Sequence, residues 1–342
     1  MVIFDETLYV KNPVVSIVVI TYNQEKYIKE CLDSIVNQSV DFPVELIVAD
    51  DCSVDKTREI CLEYQKKYPE FIKLLLNDIN LGLIKNYLNV LSYCKGKYIS
   101  QVAGDDYWCN INKLTIQKKY LDENEEIGLV YTDSYRLVNG KLYENWVNHQ
   151  IQSFNDHILS PGYLAPNSWM YRLEYSPLNF LSEKNAHYVD ESYAYLLDMF
   201  MVSKVAFIPQ LMAVYRCHRD SLSYCNTFEN SYKFNVGLFN IKKEYLKKYD
   251  VNDEQLICEV YTNAYIQLIE DAMALNDIKF LNEIKEYFKS HKLKFSDIEA
   301  LAKISVQHRH NYLMIFNSKA YRLGKFILRP FLWIKQFCKP IL

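Results

Sequence analysis

The chain has 342 residues, 50% hydrophobic and 24% charged, which is ordinary globular composition with room for one large or two ordinary domains. A formal net charge of −3 argues against a dedicated nucleic-acid binder, and 8 glycines with no G-x-x-x-x-G-K-[ST] or G-x-G-x-x-G argue against a glycine-rich phosphate loop. Nine cysteines without C-x-x-C pairs, a start from Met1 to Pro13 that lacks a basic, apolar leader, and no run of roughly 18 apolar residues read as a cytosolic protein with reduced thiols.

The first half alternates strand and helix. Val14 to Thr21 is a β-branched run suited to a strand buried on both faces, and Glu25 to Asn37 follows with Tyr27, Ile28, Cys31, Leu32 and Ile35 at helical spacing. Val44 to Ala49 is the next strand. Ser53 is the expected N-cap of a helix from about Asp55 to Lys67. Ile72 to Leu76, Tyr98 to Val102 and Gly128 to Thr132 are further strands, and Leu83 to Tyr93 and Lys113 to Asp122 further helices. Repeated βα units imply a mostly parallel sheet with right-handed crossovers.

Regularity weakens after Asn139. Val147 to Pro166 reads as loop, with a turn at Pro161-Gly162. Ser168 to Leu173, Val205 to Ile208 and Ala213 to Tyr215 read as strands, and Ser192 to about Met201 as a helix. Glu229 to Ala302 is helical, punctuated near Asn252 and Asn276. The tail differs: Ser318 to Leu342 has six basic residues, no acid and a dense apolar set from Phe326 to Phe337, interrupted by Pro330.

Two strands end in acids. Asp50 and Asp51, with Asp55 nearby, follow one; Asp105 and Asp106 follow another, in Gly104-Asp-Asp-Tyr-Trp108. In an open α/β sheet the carboxyl ends of strands line the ligand crevice. Adjacent like charges there suit a divalent cation set against a phosphate.

Val15 to Asn23, Asp50 to Thr57, Asn80-Leu-Gly with Lys85-Asn86, Gly104 to Trp108, Ser168 to Arg172, Val189-Asp-Glu191 and Tyr215-Arg-Cys-His218, in that order, resemble the family 2 glycosyltransferases of the GT-A fold. The resemblance covers Val14 to Ser223. Ile20 stands where many members carry proline, and Cys52 where glycine or asparagine is usual.

The resemblance implies a GT-A catalytic domain over 1–227, with a nucleotide-sugar half to about 107 and an acceptor half beyond it. The sheet would be mixed, mostly parallel and flanked by helices, with a helical region over 228–342. It implies inverting transfer from a nucleoside diphosphate donor, a UDP-sugar, to a hydroxyl of a glycan or lipid-linked acceptor, with Mn²⁺ or Mg²⁺ as cofactor. Tyr22 would stack on the base with Thr21 or Asn23 beside it, Asp51 would accept from the uracil N–H, and Asp50 would lie nearer the ribose. Asp106 would hold the metal with His218, Asp105 would contact ribose or metal-bound water, and Lys85 a phosphate. Ser168 and Trp169 would meet the donor and acceptor sugars. The base that takes the acceptor proton would be Asp190, with Glu191 the alternative one residue on.

A bland reading stands beside several of these: Asp50 to Ser53 as a helix cap, Trp169 as core, Lys85 as an exposed helix lysine, and Asp190 or Glu191 as a cap. A sugar-nucleotidyltransferase also uses paired carboxylates but would carry a basic, glycine-rich loop where Tyr22-Asn-Gln-Glu25 stands; a non-catalytic nucleotide-sugar binder would lack the acids. The tail reads either as helices packed on the domain or as an interfacial anchor on the inner face of the membrane.

Overall fold

The computed structural model describes residues 1–4, 7–144, 151, 153–160, 164–218 and 227–291. One ten-stranded sheet organises the first 218 residues. Its strands, in chain order, are β1 (Val2–Ile3), β2 (Val15–Thr21), β3 (Val44–Asp50), β4 (Ile72–Leu76), β5 (Tyr98–Ala103), β6 (Tyr107–Trp108), β7 (Ile127–Val138), β8 (Lys141–Tyr143), β9 (Met170–Arg172) and β10 (Lys204–Cys217). Across the sheet they run β1-β4-β3-β2-β5-β9-β7-β10-β6, with β8 on β7. The long pairings are parallel: β4 with β3, β3 with β2, β2 with β5, and β7 with β10. The short strands β1, β6, β8 and β9 pair antiparallel.

Helices α1 (Ile28–Val36), α2 (Thr57–Lys67), α3 (Leu83–Leu91) and α4 (Lys113–Glu123) fill the crossovers. From β2 the chain moves outward through β3 to β4, then returns to set β5 on the other side of β2. That reversal opens a crevice at the carboxyl ends of β2 and β5. Beneath it, Ile17, Val19, Leu46, Val48, Leu74 and Val102 are fully or almost fully buried, against Cys31, Leu32 and Ile35 of α1. Each such aliphatic side chain contributes about 1.5–3 kcal/mol.

The sheet also buries charge at its other end. Glu45 of β3 is inaccessible, yet it accepts from the Tyr9 hydroxyl at 2.8 Å, the Ser16 hydroxyl at 2.5 Å and the Lys95 N–H at 2.8 Å. Paired in this way, a buried carboxylate is not left to bear its full desolvation cost.

Beyond the four crossover helices come α5 (Phe154–Leu159), α6 (Glu191–Val202), α7 (Phe228–Lys248), α8 (Glu254–Ala274) and α9 (Ile278–Ser290). The breaks between the last three fall near Asn252 and Asn276, as the sequence indicates. The chain forms two compact units: Met1–Tyr224 with Gly237–Val260, and Cys225–Val236 with Tyr261–Leu342. Instead of a single boundary at 227/228, the division crosses both α7 and α8. Within the second unit, Asp271 accepts from the Ser231 hydroxyl at 2.6 Å and Asn235 Nδ2 at 3.1 Å, and Asp277 accepts from the Tyr232 hydroxyl at 2.9 Å.

Three elements differ from the sequence expectation. β7 runs six residues past Thr132. The two expected strands near 205 and 213 are one, β10, whose register shifts between Ile208 and Ala213 absorb extra residues as bulges. Ser53 does not cap α2: its hydroxyl accepts from the Asn23 N–H at 2.9 Å, while Asp55 Oδ1 accepts from the Thr57 N–H at 2.9 Å. The Pro161-Gly162 turn, the helical reading past 291 and the basic tail lie outside the described residues.

Candidate active site

The nucleoside side is built by two loops zipped together. Asn23 and Cys52 both adopt left-handed φ, +53° and +65°, at positions where glycine or asparagine is the easier choice. The Val54 N–H donates to Asn23 Oδ1 at 2.9 Å, and the Gln24 N–H to Thr57 Oγ1 at 2.7 Å. Thr21 is buried, its hydroxyl turned to Gln24 Oε1 at 2.8 Å. Tyr22 is left 46% exposed at the rim, an open aromatic face of the kind that stacks on a base.

Asp51 is buried at the end of β3. Its Oδ1 accepts from Asn77 Nδ2 at 2.9 Å and the Leu81 N–H at 2.8 Å; its Oδ2 accepts from the Gly82 N–H at 2.9 Å. A carboxylate has about four acceptor sites, so Oδ2 keeps one for a further N–H. Asp50 does not fit its expected place near a ribose. It is inaccessible, and Arg58 Nε donates to it at 2.6 Å while Arg58 Nη2 donates to the Asn77 carbonyl. Lys85 pairs with Glu183 at 2.9 Å, both ends largely in water, a contact weak enough to exchange for a phosphate.

At the end of β5 the two aspartates part company. A Cβ at Gly104 would stand 2.5 Å from Gln24 Oε1 and 2.7 Å from Thr21 Oγ1, so glycine is what lets this turn close on β2. Asp106 points inward. Its Oδ1 accepts from the Arg216 N–H at 2.8 Å and its Oδ2 from Asn167 Nδ2 at 2.9 Å. Burial, and then the charge of Asp105, push its carboxyl well above the usual range. Asp105 turns the other way, with Oδ2 2.9 Å from Nε2 of His218, and both side chains are about one-seventh exposed. Arg216 steadies the pair, donating from Nε to the Asp105 carbonyl at 2.8 Å. The expectation placed the metal on Asp106; each of its oxygens accepts one hydrogen bond and keeps a further acceptor site, but it is the more deeply buried of the two, while Asp105 stands more exposed beside His218.

Among the described residues no group of three or more His, Cys, Asp or Glu side chains is arranged to hold a metal. One carboxylate and one imidazole still suit Mg²⁺ or Mn²⁺, which keep waters and substrate phosphates as their remaining ligands.

On the acceptor side, Asp190 is the N-cap of α6. Its Oδ1 accepts from the Tyr193 N–H at 2.9 Å and the Ser192 hydroxyl at 2.6 Å. No other described residue donates a hydrogen bond or ion pair to the Glu191 carboxylate. Burial, and then the charge of Asp190, raise Glu191 to about 7. Its charge also bears on Tyr87, whose hydroxyl bonds Gln101 of β5 and lies 3.2 Å from the Tyr171 hydroxyl. Ser168 and Trp169 do not reach the crevice. Ser168 is 1% exposed and bonds the Ala165 carbonyl at 2.8 Å; the indole of Trp169 is wholly buried and cannot stack on a sugar. Asn167 and Arg216, which pin Asp106, carried no sequence signal of their own beyond lying beside or within motifs.

The family model described as Glycosyl transferase family 2 matches residues 16–196, more than half of the chain. An uncharacterized protein of Mycobacterium bovis is 34% identical over 214 residues, 59% of this chain and 58% of that protein, so the chain spans about three-fifths of that relative's length. An uncharacterized glycosyltransferase of Haemophilus influenzae is 26% identical over 320 residues, 85% of this chain and 95% of that one. Among solved structures, S. aureus TarS 1–349 in complex with UDP-GlcNAc superposes with a TM-score of 0.52 at 20% identity, covering 92% of this chain and 93% of that one. The likeness to TarS shows the fold: a mixed, mostly parallel sheet flanked by helices.

Proposed function

The chain belongs to glycosyl transferase family 2 and is a glycosyltransferase, and from that footing we propose an inverting, metal-assisted transfer from a UDP-sugar to a hydroxyl of a glycan or lipid-linked acceptor in surface polysaccharide or glycoconjugate assembly. The Asp105–His218 pair at 2.9 Å, turned outward while Asp106 is pinned inward, carries the reading.

Tyr22 offers its ring to the base, and the remaining acceptor site of Asp51 suits a uracil N–H. UDP-GlcNAc bound to TarS, a protein of like fold, supports a uridine donor. Asp105 and His218 would hold Mg²⁺ or Mn²⁺, which when bound offsets charge on the departing diphosphate. Lys85 would leave Glu183 to meet a phosphate. Glu191 accepts the proton of the acceptor hydroxyl. The acceptor oxygen bonds the anomeric carbon as the bond to the diphosphate breaks on the opposite face, so configuration inverts and the nucleoside diphosphate leaves. Asp190 caps the helix that presents Glu191 and is not itself the base.

No helix among the described residues is long and apolar enough to cross a membrane. The basic, aromatic sequence of 318–342 supports peripheral binding at the inner face, where a lipid-linked acceptor would be met.

The test is incubation with a panel of nucleotide sugars and Mn²⁺, reading released nucleoside diphosphate. We expect UDP from a UDP-sugar, none in excess EDTA, and none from Asp105→Ala at an unchanged melting midpoint. Full activity in EDTA would overturn the metal assignment. Pyrophosphate released from a nucleoside triphosphate would identify a nucleotidyltransferase instead.

A further inference from the structure

A helix interior disfavours glycine, which loses more backbone freedom on folding than any other residue. Gly237 nevertheless stands in the middle of α7, and the space its side chain would fill is taken. A Cβ there would lie 2.4 Å and 2.7 Å from the two methyl groups of Val189 and 3.1 Å from its Cβ. A β-branched side chain is stiff and has no flexible end to swing away. Val189 directly precedes Asp190 and Glu191.

The same helix grips this segment at further points. The Tyr188 hydroxyl donates to Glu244 Oε1 at 2.6 Å. Lys242 is buried, donates to the Ser160 carbonyl at 2.7 Å and stands 5.7 Å from the centre of the Tyr193 ring, in the first turn of α6. Further along α6, Asp198 is inaccessible and accepts from the Tyr245 hydroxyl and Lys248 Nζ, each at 2.6 Å, and from the Tyr249 hydroxyl. The region matched by the family model ends at residue 196, inside α6, so all of α7 lies beyond it.

We infer that α7, from Gly237 onward, is the positioning element for the acceptor-side acid: seating Val189 on Gly237 and anchoring α6 through Asp198 sets where the Glu191 carboxylate stands. This rests on the reading of Glu191 as the base. The Glu191 carboxylate has no donor from another described residue and is tied only to its own backbone N–H. Its position is inherited from the backbone that carries it, and that backbone leans on α7. None of the α7 residues needs to touch substrate.

The experiment compares the full chain with Gly237→Ala and with Gly237→Ala/Val189→Ala. Turnover is read as UDP released from the donor that the panel identifies. UDP affinity is read by calorimetry in Mn²⁺, and folding by the melting midpoint. An ångström of displacement at a catalytic group costs on the order of a hundredfold in rate. We expect Gly237→Ala to lower kcat by roughly ten- to a hundredfold at unchanged UDP affinity, and the double variant to recover most of it, because removing the Val189 methyls reopens the space. A fully active Gly237→Ala, or a loss that Val189→Ala does not relieve, overturns the inference. Should Gly237→Ala not fold, Glu244→Ala carries the test: a lower kcat at unchanged UDP affinity supports it, and an unchanged kcat overturns it. Glu191→Gln separates the two claims. Turnover surviving that change removes the base assignment, whereas its loss beside a fully active Gly237→Ala removes the positioning role alone.

Discussion

Adjacent carboxylates divide their labour twice in this chain, once at 105 and 106 and once at 190 and 191. In each pair one carboxylate accepts hydrogen bonds that fix the local structure, and the proposed function gives the chemistry to the other. The order is opposite in the two pairs: the acid to which the proposal gives the chemistry comes first at Asp105 and second at Glu191. A sequence shows two acids side by side but not which of them a neighbouring N–H has claimed. That is why the motifs located both pairs and the roles within each pair needed the hydrogen bonds of Arg216, Asn167, Ser192 and Tyr193. Asparagine caps a helix as well as aspartate does, so Asp190→Asn should retain most of the turnover. Glu191→Gln should lower kcat by roughly 10²–10⁴-fold. The reverse pattern, measured as UDP release, would return the base to Asp190. With Glu191 raised to about 7, its protonated form cannot accept a proton, so kcat should fall about tenfold per pH unit on the acid side of that value. In a pH–rate series, a flat profile from pH 5 to pH 7 would exclude a base with that pKa.

At the scale of elements, α5 buries His157 against α6. Its Nε2 lies 3.1 Å from the Tyr193 carbonyl, Nδ1 has no partner among the described residues, and burial lowers its pKa from 6.5 to about 3. The folded protein therefore resists protonating this ring, while the unfolded chain takes up the proton below about 6.5. The stability it lends is present above that pH and is lost as pH falls towards 3, at no more than about 1.4 kcal/mol per unit. His157→Phe should flatten the acid limb of melting midpoint against pH over that window; an unchanged slope would show that another group controls it. Strands with long apolar runs were legible, β2, β3 and β4 to within a residue or so, because burial on both faces leaves little else for such runs to be. β1, β6 and β8 were not legible. Strands of two or three residues carry no periodicity, and only pairing with a longer neighbour makes them strands. The bulges of β10 hid its continuity, since each one breaks the alternation that marks a strand.

For the whole molecule, the motif order sufficed for fold and family, whereas nothing in it named which sugar is carried or which acceptor molecule receives it. The tail supplies a test at this scale. If 318–342 anchors the chain, vesicles containing anionic lipid should float the full-length protein in a salt-sensitive manner and leave a chain ending near Asn317 behind. Equal flotation of both would assign the tail to packing. The interleaving of the two compact units bears on how such a chain can change over generations. Residues 237–260 belong with the first unit although they lie between two stretches of the second. A single recombination crossover anywhere from 225 to 260 would therefore split one unit or the other and join unmatched partners. Exchanging the second unit intact requires three crossovers, one ahead of α7, one inside α7 and one inside α8. New partners are thus more easily acquired by addition beyond the second unit than by replacement of what is there.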